Sequence, residues 1–197
     1  MADEFRLNSS NFKDGGHIPR KHTADGTVDK KDISPQLSWH NVPEGTESLA
    51  LIMEDLDAPD PDSPIVPWVH WVVVNIPPTL HGLPENFRVH GLDESEIKKE
   101  HQGIAEGYND FKQPGYRGPA PPTAAAHRFE IRLYALDKMF EKLPNKITKP
   151  VLEDAMEGHI LGEAKLTGMH GHEKMGPRGN DSYIPPGHPM TSPAQMR

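Results

Sequence analysis

The residues from Trp68 to Ile76, WVHWVVVNI, are apolar on both faces of an extended chain. A strand of that kind is buried on both sides, so it belongs in the middle of a layered structure and not at a wet edge. The nearest partner is Leu49 to Met53, which alternates into Asp55 so that Leu49, Leu51, Met53 and Asp55 share a face. In the later strand His70 falls in phase with Val72, Val74 and Ile76, while Trp71 and Val73 point the other way. Between the two, residues 56–67 carry four prolines and three aspartates, which excludes regular structure. If the strands pair antiparallel, the end of one lies beside the start of the other. Asp55 and His70 then meet at one rim of the sheet, above apolar packing. Ionisable groups in such a place must be paired, hydrated or liganded.

The rest of the chain reads as further short strands and turns. Residues 1–33 are polar, with turn signals at Asp14-Gly15-Gly16 and Asp25-Gly26-Thr27, and admit at most short strands. Ile33 to Trp39 alternates and predicts a strand, and Val42 to Thr46 a turn. Residues 79–126 form a long connection with weak periodicity, of a length that is usually functional or disordered. His127 to Leu136 has the cleanest alternation: His127, Phe129, Ile131, Leu133 and Ala135 take one face, and Arg128, Glu130, Arg132 and Tyr134 the other. A histidine again opens a strand in register with its apolar face. Residues 148–158 predict one short helix, with Thr148 as cap, Pro150 in the first turn, Leu152, Ala155 and Met156 as its apolar stripe, and Gly158 as the stop. Ile160 to Gly168 alternates as a last strand. From Met169 onward the chain is rich in proline, glycine and polar groups, so the organisation is a β domain over 1–168 and a flexible tail over 169–197.

Composition narrows the function classes. The chain has 197 residues and a net charge of -8, which argues against nucleic acid or anionic membrane binding through the general surface. It contains no cysteine, so neither a disulfide framework nor thiol chemistry is open to it. The opening residues MADEFRLNSS are no secretory signal, and no run reaches the roughly 20 apolar residues of a membrane span. A cytosolic protein with no integral membrane association is the expectation. The Gly-x-Ser-x-Gly elbow, the Walker loop and the dinucleotide fingerprint are all missing. Among 12 histidines, His170-Gly171-His172 and the set Asp55, His70 and His127 raise the question of a metal. The helical histidine spacing of zinc peptidases is absent, and no metal or other cofactor is expected.

Asp55, His70 and His127 are the principal constellation. An imidazole at a strand end donates hydrogen bonds to an oxyanion, more strongly when protonated. A carboxylate orients that imidazole or fixes a ligand's ammonium or hydroxyl. The alternative is three strand-end polar residues bonded to loops. Asp57, Pro59 and the prolines at 61, 64 and 67 are placed to shape a pocket mouth, whereas Asp60 and Asp62 read as surface. The run Gly118 to Pro122 brings backbone close to a ligand or simply turns.

The chain resembles the phosphatidylethanolamine-binding protein family, particularly its compact bacterial-type branch. The matching residues are Ile33-Ser34-Pro35 with Trp39, Asp55-Leu56-Asp57-Ala58-Pro59, Trp68 to Asn75, Gly118-Pro119-Ala120-Pro121-Pro122, and His127-Arg128-Phe129 running into Leu133 to Asp137. The resemblance covers about residues 5–168. It implies two antiparallel sheets packed as a sandwich with a few short peripheral helices, and a small pocket for phosphate, phosphate esters or phospholipid headgroups. Carried over by position, that pocket comprises Asp55, Asp57, Pro59, Trp68, His70, Pro121 and His127. Three departures stand out: Leu56 where the family usually has proline, Phe129 where tyrosine is common, and Ala124-Ala125-Ala126 in place of a glycine-containing run. The family's members often regulate protein kinases or proteases, which extends the expectation to a protein partner of that kind.

The expected function is thus a non-catalytic binding protein with a head group seated between His70 and His127. Two alternatives are a hydrolase or isomerase using His and Asp as acid and base, and an interaction protein acting through the tail. The peptide bond Ala58–Pro59 is expected to be cis, since such bonds occur in tight, pre-shaped turns.

Overall fold

The computed structural model describes residues 3–25 and 31–171. Among these, eight strands form two antiparallel sheets. A small sheet is ordered β1-β2-β5, from Arg6–Asn8 (β1), Leu37–His40 (β2) and Gly82–Leu83 (β5). A larger sheet is ordered β6-β4-β3-β7-β8, from Ser48–Asp55 (β3), Trp68–Ile76 (β4), Ala105–Glu106 (β6), His127–Leu136 (β7) and Ile160–His170 (β8). The doubly apolar β4 lies inside the large sheet, between β6 and β3.

Both faces of β3 and β4 are buried because the large sheet is covered twice. On one side Leu49, Leu51, Met53, Trp71 and Val73 pack with Phe129, Ile131 and Leu133 of β7 and with Leu7, Leu37, Trp39 and Leu83 of the small sheet. On the other side Ala50, Ile52, Val72 and Val74 pack under a helix, α1 (Lys149–Met156), through Leu152 and Met156. The side chains of Trp39 and Trp71 are fully buried, and each indole N–H finds an acceptor: the Leu80 carbonyl at 2.8 Å and the Glu106 carboxylate at 2.9 Å. Those bonds remove the cost of burying a donor.

The regular alternation expected along β4 is broken twice. Met53 pairs with Trp71 but Glu54 pairs with Val69, so His70 is an extra residue with no partner on β3. Leu49 pairs with Ile76 and Leu51 with Val73, so β4 again carries one residue too many, and Asn75 takes φ 57° there. Each bulge re-aims the side chains beyond it. Ile76 therefore joins the layer of Trp71 and Val73 instead of that of Val72 and Val74, and His70 turns to the layer of Phe129 instead of that of Val72. Without the first bulge His70 and Asp55 would lie on opposite faces.

Other boundaries shift for local reasons. The strand predicted over Ile33–Trp39 begins only at Leu37, because Ser34 and Gln36 bond to the loops at Phe87, Asn86 and Asn11. The helix has Pro150 in its first turn and Gly158 just past its end at φ 77°, but Thr148 makes no side-chain cap. The last strand continues past Gly168: Met169 and His170 pair with Arg128 and His127. Residues 14–18 lie against that end of β8, with Ile18 N–H donating to the Met169 carbonyl at 2.9 Å. Of the expected tail over 169–197, residues 172–197 lie outside the described residues, as does the expected turn at Gly26-Thr27. No helix among the described residues is long and apolar enough to cross a membrane.

Candidate ligand-binding cavity

Asp55 ends β3, Trp68 opens β4 directly opposite it, and His127 opens β7 two residues before Phe129, the partner of Asp55. Antiparallel pairing thus collects three strand ends at one rim. His127 donates from Nδ1 to Asp55 Oδ2 at 2.7 Å, and its Nε2 lies 2.9 Å from Thr123 Oγ1. Asp55 Oδ1 accepts the backbone N–H of Asp57 at 2.8 Å. The chain then turns through Ala58–Pro59, which is cis.

His70 is bonded from a different side. Its Nδ1–H donates to the Arg117 carbonyl at 2.6 Å, and Arg117 N–H returns a bond to the His70 carbonyl at 3.0 Å. These bonds hold the loop 117–122 across the strand ends. Gly118 donates to Asp32 at 2.6 Å and has no room for a side chain, since a Cβ would sit 2.2 Å from the His22 carbonyl oxygen. The Phe129 ring lies against both imidazoles, edge-on to His70 at 5.3 Å and stacked with His127 at 6.3 Å.

A cavity of ≈ 420 Å³ opens between these elements. Its wall includes Asp55, Pro59, Trp68, His70 and Pro121 of the residues singled out in the sequence. Asp57 and His127 are not on the wall. Asp57 turns its carboxylate to Arg128, accepting the backbone N–H at 2.8 Å and the guanidinium at 2.8–3.3 Å. His127 is fully buried behind Asp55. Pro61, Pro64 and Pro67 are not on the wall either, but Ile65 and Val66 between them are. Ala58, Phe111, Ala120 and Pro122 complete the lining. Phe111 sits in a polar stretch and was not singled out; an isolated aromatic between Asp110 and Lys112 was the available signal.

The cavity is apolar except for two polar residues, Asp55 and His70, and no lysine or arginine lines it. Burial pulls the His70 imidazole below its ordinary pKa, against the opposing effects of the Arg117 carbonyl and the Asp55 charge. The resting site therefore presents a neutral imidazole beside an acid whose two oxygens already accept hydrogen bonds. Among the described residues no group of three or more His, Asp or Glu side chains is arranged to hold a metal ion.

The family model for phosphatidylethanolamine-binding protein matches residues 8–171. The chain belongs to the phosphatidylethanolamine-binding protein family. Among curated members, it is 46% identical over 166 residues to a UPF0098 protein of Methanothermobacter thermautotrophicus, covering 84% of this chain and 98% of the relative. It is 32% identical to the UPF0098 protein YbhB of Escherichia coli, covering 84% and 99%. Among solved structures, a phosphatidylethanolamine-binding protein homolog from Chlamydia trachomatis superposes with a TM-score of 0.71 at 32% identity, covering 86% of this chain and 98% of that one. Escherichia coli YbcL, described as a member of the mammalian family, gives 0.72 at 28% identity, covering 87% and 100%. The two-sheet architecture is thus that of the family.

Proposed function

We propose that the protein binds a small phosphate-like anion, a phosphate ester or a phospholipid headgroup, in the cavity at the strand ends. The observation that carries this reading is the fixed tautomer of His70. Its Nδ1–H is committed to the Arg117 carbonyl, and Nε2 is the ring's remaining polar atom on the cavity wall beside Asp55. One proton between Nε2 and a ligand oxygen completes the bond, carried in by a monoprotonated phosphate or taken up by the imidazole. Ligand hydroxyl or ammonium groups suit Asp55. Pro59, Trp68, Phe111 and Pro121 give an apolar collar for the carbon part of an ester. Asp57 and His127 serve from behind the wall, Asp57 by shaping the turn to Pro59 and His127 by holding Asp55. Ile65 and Val66 at the mouth are 76% and 62% exposed, and a regulated kinase or protease would meet the protein there.

Calorimetric titration with phosphate and phosphoethanolamine tests the pocket. Wild-type protein binds both, and His70→Ala loses at least about tenfold in affinity, the value of a hydrogen bond to a charged group. Equal binding by His70→Ala and wild type overturns the reading.

A further inference from the structure

A hydroxyl, an imidazole and a carboxylate stand in series at the back of the cavity wall. Thr123 Oγ1 lies 2.9 Å from His127 Nε2, and His127 Nδ1 lies 2.7 Å from Asp55 Oδ2. The carboxylate sets the tautomer: Nδ1–H donates to Asp55, so the neutral ring offers the Nε2 lone pair to the Thr123 hydroxyl. A nucleophile within reach of a base, with that base oriented by a third group, is the arrangement that activates a hydroxyl for acyl transfer.

Each member is held as that chemistry requires. Asp55 is 5% exposed, and its other oxygen is occupied by the Asp57 N–H at 2.8 Å. His127 is fully buried and stacked on Phe129, so it does not rotate freely. Thr123 alone of the three is half-buried, on the loop directly after Pro122 of the cavity wall. Among the described residues the N–H groups of Ala124 and Ala125 enter no hydrogen bond. The N–H of Ala124 follows Thr123 directly, the position of a common oxyanion donor in such sites.

We propose that Thr123 is a nucleophile activated by His127 and positioned through Asp55, giving the protein an acyl-transfer activity toward small esters. The apolar cavity beside Pro122 takes the acyl group. Thr123 Oγ1 bonds to the ester carbonyl carbon as its proton passes to His127 Nε2. The bond from carbon to the alcohol oxygen breaks, and the alcohol leaves with that proton. Water, deprotonated by the same nitrogen, then releases the acid and restores the hydroxyl. This activity goes beyond ligand binding at His70, which takes no part in it, so the two readings fail separately.

The test is acetylation of the full chain by p-nitrophenyl acetate, followed by release of p-nitrophenolate and by peptide mass mapping. The expected result is an acetyl group on Thr123 with a matching burst. Thr123→Ala abolishes the burst, Thr123→Ser keeps it, and His127→Asn slows it by about 100-fold, the contribution of a general base. Acetylation confined to lysines, or the same burst in Thr123→Ala, overturns the proposal. So does a folded His127→Asn that reacts at the wild-type rate. Should His127→Asn not fold, the two Thr123 variants, altered on a half-buried loop, decide alone.

Discussion

His70 donates its Nδ1–H to the carbonyl oxygen of Arg117 across 2.6 Å, and that single bond leaves Nε2 as the ring nitrogen not committed to the loop. It ties the imidazole on the cavity wall to the loop 117–122, so a ligand bound as proposed would depend on that loop's geometry. In the proposed binding mode it also links the ligand to protons. Burial holds the free imidazole below its usual pKa, so it is neutral at pH 7, whereas an anion at Nε2 favours the imidazolium.

Phosphate binding should therefore take up a proton near pH 7, and affinity should weaken as pH rises. The dissociation constant grows by up to about tenfold per pH unit, the limit for one linked proton. Titration in two buffers of different ionisation enthalpy measures the uptake. In His70→Gln the dependence flattens to that of the ligand alone; an unchanged slope shows the proton lies elsewhere.

Acid should destabilise the fold through its buried histidines. Desolvation lowers the pKa of His70, His22 and His101 in the folded state. The unfolded chain binds protons at these rings near pH 6.5 while the folded chain refuses them. Stability is thus complete above about pH 6.5 and is lost progressively as pH falls toward the folded values. Urea midpoints measured from pH 8 down to pH 5 should fall, and less steeply for His22→Gln.

Asp57 should prove a structural residue. Its carboxylate is buried and held low in pKa chiefly by the hydrogen bonds from Arg128. Asp57→Ala leaves the Arg128 backbone N–H and two of its guanidinium donors short of a partner and should cost about 1.5–3 kcal/mol of unfolding free energy. With the folded pKa depressed, the carboxylate's contribution is present at neutral pH and lost only as pH drops below the ordinary carboxylate range. Denaturant unfolding of the variant at pH 7 and at pH 3 checks both points, the difference from wild type shrinking at the lower value.

The collar should read the carbon part of an ester and not its phosphate. Trp68 is 40% exposed at the mouth, and its ring meets Phe111 edge-on at 5.7 Å. Trp68→Ala should weaken a phenyl or hexyl phosphate by about tenfold, from the apolar contact removed, and leave inorganic phosphate within about twofold. Equal losses for both ligands would show that the ring acts by shaping the anion site.

Gly118→Ala should damage the loop that carries the Arg117 carbonyl. The added Cβ meets backbone at the His22 carbonyl, which has no rotamer to give. A loss of about 1–3 kcal/mol in stability is expected from overpacking, with phosphate affinity falling in the protein that remains folded. Urea unfolding and calorimetry on the same sample separate the two effects.

Much of this was legible before any coordinates. The alternation of β7 fixed its limits, His127 to Leu136, and the doubly apolar β4 announced a layered structure. Asp55, His70 and His127 were named from strand ends alone, and the motifs around them pointed to the family. The phase of His70 was not legible, because period-two reading assumes one residue per step and β4 inserts an extra residue at His70 and another at Asn75. The placement of Asp57 was not legible either. Asp57 entered the expected pocket by the family resemblance, and only the neighbouring strand supplies the Arg128 that claims its carboxylate.

The sequence by itself determined which residues extend, which faces are apolar and which polar side chains sit at strand ends, since those follow from local periodicity and from proline and glycine. Tertiary structure alone decided which of those polar groups line the cavity. Hydrogen bonds between residues 47 to 72 positions apart, His70 to Arg117, Asp57 to Arg128 and Asp55 to His127, commit those polar atoms and leave only Asp55 and His70 of the four ionisable groups at the strand ends on the cavity wall. No local pattern encodes that choice, because each partner is brought up by a different strand or loop.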